Sequence, residues 1–340
     1  MRKLVTIKTI TDIQPIPEAD SIDVATVNHG WKVVVKKGEY KIGENVLYLE
    51  VDSWVPHKIA PFLSKGSEPR EYNGVLGERL KTQKFRGQLS QGLILPLSLL
   101  TGYIDEALDG DFSNILGVQK WEAPVPAQLS GDVVGGFPTR IPKTDQERCQ
   151  NLYVEIFSDH ITETYEVTEK LEGTSMTVYK IDDEVGVCGR NWNLKEDYNN
   201  SLWKMAKSCG LIDFLKNTYK NNIAIQGECI GEGIQKNYYG IKGHRFYVYD
   251  VYDITNSEYW GPKQRSSCIP SFNLSELYHV PILDFVDCAK FDGLGDMLKY
   301  AEGKSVLNDK KEREGVVFKS HQSQFHFKII SNKFLMKTGG

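Results

Sequence analysis

Several features that would mark a protein's class at once are missing from this chain. Its six cysteines (Cys149, Cys188, Cys209, Cys229, Cys268 and Cys288) form no C-x-x-C pair and have no close histidine partner. Scattered thiols of this kind argue against a zinc site and for a reducing, cytoplasmic setting. The N-terminus, MRKLVTIKTITD, has no apolar signal core, and no run approaches the ~20 apolar residues that cross a bilayer, so no membrane partner is expected. An excess of basic charge is also absent. Lys and Arg number 41 against 45 Asp and Glu, a net charge of −4, so total charge gives no support for nucleic-acid binding and leaves only local patches. There is no strong internal repeat, no low-complexity tract and no sign of an obligate protein partner.

What is present is a chain of 340 residues, 40% of them hydrophobic, enough for a sizeable core and two or three domains. The first hundred residues alternate short apolar runs with glycine turns. WKVVVKKGEYKIGENVLYLEVDSWVP supplies two strands around a loop, and RLKTQKFRG and QGLILPL suggest two more. Short strands at this spacing predict a small closed β-barrel over residues 1–120. WEAPVPAQLSGDVVGGFPTR, residues 121–140, is rich in Pro and Gly and reads as a linker or as a long surface loop. From 141 to 340 the texture is α+β: SLWKMAKSCGLIDFLKNTY has helical periodicity, HRFYVYDVYD reads as a strand, and REGVVFKS and FHFKIIS read as a strand pair.

The stretch YEVTEKLEGTSMTVYK, residues 165–180, reads as strand, tight turn, strand, with Lys170, Glu172 and Gly173 at the tip of a hairpin. A lysine attacks phosphorus only when neutral, and its ordinary pKa is about 10.4, so a nucleophilic role needs nearby cations or a metal. A carboxylate two residues on could hold metal-bound water or a sugar hydroxyl, and the glycine allows close approach. By itself K-x-E-G is more often a solvated turn. Residues further along the chain give it weight: Arg190 in VCGRN, Glu228 in AIQGECIG, Phe246 in RFYVYDV, Glu314 in EREGVVFK and Lys328 in FKIISNKF. Carboxylates for Mg²⁺, cations for phosphates and an aromatic face for adenine are what an ATP–metal site needs. His326 could meet phosphate, although a partly exposed strand histidine is the commoner case. Asp250 and Asp253 read as structural. KKGEYK (36–41) and KTQKFRG (81–87) mix basic and aromatic residues as nucleic-acid surfaces do, and as solvated strand edges also do.

The order K-x-(D/E)-G, G-R-N, G-E, F-Y-x-Y-D-V, E-G-V-V and F-K resembles the covalent nucleotidyltransferase superfamily of DNA ligases, RNA ligases and capping enzymes. IPKTDQERCQN resembles the segment just upstream of the core in certain RNA ligases, and the first hundred residues resemble their N-terminal OB-type barrel. The likeness covers nearly the whole chain and is nearest to the Deinococcus/Naegleria-type RNA ligases. It implies an OB-type barrel followed by an adenylyltransferase domain of antiparallel sheets with flanking helices. It also implies sealing of RNA, or of an RNA/DNA hybrid with a nick or paired ends, using ATP and Mg²⁺ or Mn²⁺. Lys170 would carry AMP, and Glu172 and Glu314 would organise the metal. Glu228 and Arg190 would hold ribose and adjacent phosphate, Phe246 would stack on adenine, and Arg148 would reach the β- or γ-phosphate. Lys328 would contact the α-phosphate and help depress the pKa of Lys170. Two departures stand out. Many relatives have aspartate where Glu172 stands, and Lys328 is followed by Ile329 and Ile330 in place of a second lysine, a gap that Lys319 or Lys333 could fill. A capping or DNA-ligase type is disfavoured because the barrel comes first. A tRNA-binding-like barrel fused to an inactive domain is disfavoured by the complete set of lysines and glutamates.

Overall fold

The computed structural model describes residues 2–28, 30–102, 110–122 and 132–338. The chain divides into two units, Met1–Pro124 with Asn332–Gly340, and Val125–Ser331.

In the first unit the strand Asn45–Leu49 carries Val46, Leu47, Tyr48 and Leu49, all fully buried. A strand buried on both faces must read as a continuous apolar run, as NVLYL does. It lies between Leu93–Pro96 and the long strand Val5–Pro15, which continues through Ile22–Val27 to Trp31–Lys36 in an antiparallel five-stranded sheet. A bulge between Ile10 and Asp12 bends the long strand. Trp31 and Tyr48 stack at 5.7 Å in the core. RLKTQKFRG, expected as one strand, is split: Arg79 ends the strand Val75–Arg79, and Gln83–Phe85 forms a separate hairpin with Gln88–Ser90. The helix Asn332–Thr338 buries Phe334 and Leu335 and packs on Gln88–Ser90, so the end of the chain groups with this unit, whereas the sequence placed it with residues 141–331. Of the expected linker, residues 123–131 lie outside the described ones, and Val133–Gly136 is a strand paired with Trp192–Leu194.

The second unit contains two sheets. One runs, in order, Val133–Gly136, Trp192–Leu194, Glu184–Cys188, Thr174–Ile181, Ile223–Gly231, His244–Asp253 and Glu258–Tyr259, with Leu277–His279 added in parallel to His244–Asp253. The other runs Ile282–Asp287, Thr164–Lys170, Gly315–Ser320 and His326–Ile330. Helices cover one face of each. Asn200 caps the helix Ser201–Ser208 by accepting the Leu202 and Trp203 N–H groups, and the helix buries Leu202, Trp203, Met205 and Ala206 against the first sheet. Leu294 and Met297, from the helix Leu294–Tyr300, bury against Tyr165, Val167, Phe318 and Phe327 of the second sheet.

This arrangement corrects the reading of residues 165–180 as a hairpin. Thr164–Lys170 and Thr174–Ile181 belong to different sheets, so Leu171–Gly173 crosses from one to the other. A buried ionic network also ties the sheets together. Arg265, on the helix Pro262–Ser271, bonds Glu166 and donates to His279 Nε2 at 3.0 Å, while Lys319 bonds Asp250 and the Tyr249 carbonyl. Its members lie nearly out of water, where each charge requires its partner.

Candidate active site

Alternation along Thr164–Lys170 sends Tyr165 and Val167 into the core and leaves Glu166, Thr168 and Lys170 on the opposite face. Cross-strand register extends that face. Glu166 faces Lys319, which faces His326, and Thr168 faces Val317, which faces Lys328. Lys170 itself pairs with Gly315, where an added Cβ would lie 2.1 Å from the Ile329 carbonyl oxygen, so only glycine permits this ladder. That ladder delivers Glu314 to the nucleophile: Lys170 Nζ donates to Glu314 Oε1 at 2.6 Å.

Beyond the crossing, Gly173 passes so close to the neighbouring strand that a Cβ would meet the Cys229 carbonyl oxygen at 2.6 Å and Glu228 Cγ at 2.9 Å. Glu228 is thereby brought to the same place; it pairs with Ser175 on one side and Tyr247 on the other. The side chains act on one another electrostatically. Burial pulls the Lys170 ammonium down, but Glu314, Glu228 and Glu172 outweigh it, and its pKa lies above the ordinary lysine value. Burial, with Glu314 and Glu172, pushes Glu228 up to about 8 against the pull of Lys170 and Arg190. Burial and Glu314 likewise raise Glu172. Three carboxylates thus outweigh burial and keep Lys170 charged, whereas the sequence reading expected a depressed pKa with help from Lys328.

Among the described residues no three His, Cys, Asp or Glu side chains converge closely enough to cage a metal. Glu314 Oε2 is nonetheless buried with no hydrogen-bond partner, an acceptor directed at nothing in the protein. One or two carboxylates completed by water and phosphate oxygens is how Mg²⁺ is usually held, and Glu314 with Glu172 fits that donor set.

The cations are set around this centre. Glu147–Cys149 runs alongside Lys328, with the Lys328 N–H donating to the Glu147 carbonyl at 2.8 Å and the Cys149 N–H donating to the Lys328 carbonyl at 3.0 Å. Arg148 and Lys328 are thereby neighbours. Arg190 is largely exposed and donates to both Asp145 oxygens, at 2.9 and 3.1 Å. His326 Nδ1 lies 2.8 Å from the Gln324 carbonyl. Asp253 closes a turn by accepting from Asn256. Lys319, a candidate for the missing second lysine, is committed to Asp250 and the Tyr249 carbonyl. Its burial, only partly offset by Asp250, lowers its pKa to about 8.

Phe246 is not at the site. Its ring is fully buried among Met176, Val178, Ile225 and Cys229, on the helix-covered face of the sheet. An aromatic that does reach the site is Tyr249, which the sequence reading missed. Gln226 pairs with Asp250 and Gly227 with Val248, leaving Tyr249 as the extra residue of a bulge. Its hydroxyl lies 3.0 Å from Thr144 Oγ1 and 3.3 Å from Ser175 Oγ, and burial and Glu228 push its pKa up. The motif order points to Phe246, but its register opposite Cys229 places it on the core face, while Glu228 pairs with Tyr247 on the other.

Comparison with known proteins accords with this geometry. A model of the RNA ligase family matches residues 163–335, and an OB-fold domain model matches residues 4–97. A point mutant of Naegleria gruberi RNA ligase solved with AMP and Mn is 43% identical, with a TM-score of 0.86, over 99% of both chains. Another mutant, with ATP and Mn, is 42% identical over 99% of both chains with a TM-score of 0.85. The same ligase with PPi is 43% identical over 100% of this chain and 99% of that one, with a TM-score of 0.84. No curated protein matches. With an OB-fold domain ahead of a ligase core that places Lys170 against Glu314, the chain belongs to the RNA ligase family.

Proposed function

We propose that this chain is an ATP-dependent RNA ligase that works through a lysyl-AMP on Lys170 and seals nicks in duplexes with RNA at the break. The observation that carries the reading is the Lys170–Glu314 pair where the two sheets meet, in a family whose solved relatives hold ATP or AMP with Mn. When bound at Glu314 and Glu172, Mg²⁺ or Mn²⁺ supplies positive charge to the α-phosphate oxygens. With a cation held there, Glu314 would pair with it in place of Lys170, and the Nζ proton would pass to solvent water. The Nζ lone pair attacks the α-phosphorus, the bond to the bridging oxygen breaks, and pyrophosphate leaves. An oxygen of the 5′-phosphate next displaces Lys170 from AMP, and the 3′-hydroxyl then displaces AMP as the phosphodiester forms.

Tyr249, in place of Phe246, supplies the aromatic wall for adenine. Glu228 and Arg190 take the ribose and adjacent phosphate, and Arg148 and Lys328 take the phosphates. The nicked strand is held with help from the first unit, whose hairpin presents Lys84, Phe85 and Arg86 to solvent. Free cysteines, most of them buried, fit a reducing cytoplasm, and no helix among the described residues is long and apolar enough to cross a membrane.

Incubation with α-labelled ATP and Mn²⁺ tests the first step. Wild type should retain label on Lys170, and Lys170→Met should lose it while melting normally. AMP mapped to another lysine would refute the assignment. A panel of nicked duplexes, with ribose or deoxyribose at either end, and matched single strands tests the substrate. Single strands joined as fast as nicks would overturn that part.

A further inference from the structure

Two tyrosines outside the reacting constellation join the two segments that carry its carboxylates. They follow Gln235, Lys236 and Asn237, three consecutive residues with φ of 41°, 58° and 49°. Left-handed backbone at successive non-glycine positions is costly and persists only where the surroundings fix it. Asn237 closes the segment on itself, accepting the Ile241 N–H at 3.0 Å and donating to the Ile241 carbonyl at 2.9 Å.

Tyr239 then reaches the nucleophile's crossing. Its hydroxyl oxygen accepts the Glu172 backbone N–H at 2.7 Å. Its buried ring clusters with Leu171, the residue between Lys170 and Glu172. Glu172 lies beyond both ladders: pairing stops at Lys170 on one sheet and resumes at Thr174 on the other. The tyrosine hydroxyl therefore does for the Glu172 backbone what a neighbouring strand does elsewhere. On the other side, the Tyr238 hydroxyl donates to the Glu312 carbonyl at 2.8 Å, two residues before Glu314. Asn308, from the same segment as Glu312, donates to the Tyr239 carbonyl at 2.9 Å.

We propose that Tyr238 and Tyr239 form a brace that fixes the separation of Glu172 from Glu314, and that both are positioning residues for lysine adenylylation. The inference rests on the reading of those two glutamates as the metal carboxylates. Its physical basis is the narrow tolerance of Mg²⁺ and Mn²⁺ for donor distance: a carboxylate that drifts by an ångström no longer serves the same ion.

Tyr239→Phe removes the acceptor for the Glu172 N–H and keeps the ring against Leu171. The full-length protein with α,β-methylene-ATP is titrated with Mn²⁺, and free Mn²⁺ is read by electron paramagnetic resonance. Loss of the one bond should weaken Mn²⁺ binding about tenfold. The rate of lysyl-AMP formation at saturating ATP should fall while the KM for ATP stays put. Tyr238→Phe should act in the same direction and less strongly. Tyr300→Phe loses a comparable hydroxyl bond, 3.0 Å to Asp284 in the same unit, and should leave Mn²⁺ binding unchanged. Wild-type Mn²⁺ affinity in Tyr239→Phe, or an equal loss in Tyr300→Phe, would overturn the brace. A wild-type protein that binds Mn²⁺ yet never forms lysyl-AMP refutes the ligase reading instead, and the resonance titration still decides the brace.

Discussion

Exchanging Glu228 for glutamine should stabilise the protein, and increasingly so as pH rises. Burial together with Glu314 and Glu172 lifts the Glu228 carboxyl from its ordinary 4.5 to about 8. Between those values the folded protein retains a proton that the unfolded chain releases, so stability falls with rising pH across that window and levels above it. Taken in full, the shift amounts to roughly 5 kcal/mol at 1.36 kcal/mol per unit. Glu228 is only partly buried, so water screening reduces this to about 2 kcal/mol. For a folding unit the size of Val125–Ser331, that is roughly 4–8 °C in Tm. Calorimetry of wild type and Glu228→Gln from pH 5 to 9 should show a gap in Tm that widens to about pH 8 and is constant beyond. Parallel curves would refute the electrostatic account. Mn²⁺ with an unreactive ATP analogue should narrow the gap, because the ligand's cation offsets the crowded carboxylates.

Two further outcomes separate roles that the sequence blurs. Phe246→Ala should cost about 3–5 kcal/mol of stability, as a truncated core aromatic does, whereas Tyr249→Ala should raise the KM for ATP up to about tenfold through loss of ring stacking. Denaturation and initial-rate measurements check the pair, and a KM effect confined to Phe246 would reverse the assignment. Lys84→Glu with Arg86→Glu should leave lysyl-AMP formation at the wild-type rate and slow nick sealing about tenfold or more, with a shallower salt dependence. Unchanged sealing would leave the hairpin without a role in holding nucleic acid.

The sequence by itself determined the inventory and its order. Lys170, Glu228, Glu314 and Lys328 each lie in a short motif whose chemistry is local, and strands such as His244–Asp253 or the pair Gly315–Ser320 and His326–Ile330 are legible because alternation and β-branched residues act over a few positions. Tertiary structure decided what those residues do to one another. K-x-E-G looks like a hairpin because strand, turn and strand succeed one another in the chain, yet its two strands pair with partners far away in sequence and Glu172 is left between sheets. Register opposite Cys229 puts Phe246 on the core face, while Tyr249, at the bulge opposite Gln226 and Gly227, reaches the site; neither the pairing nor the bulge is recorded in the local motif. Glu314 and Glu228 lie 144 and 58 positions from Lys170, and their charges meet it only after three strands come together. The protonation state of the nucleophile is a sum over neighbours in space, which no local pattern of residues records.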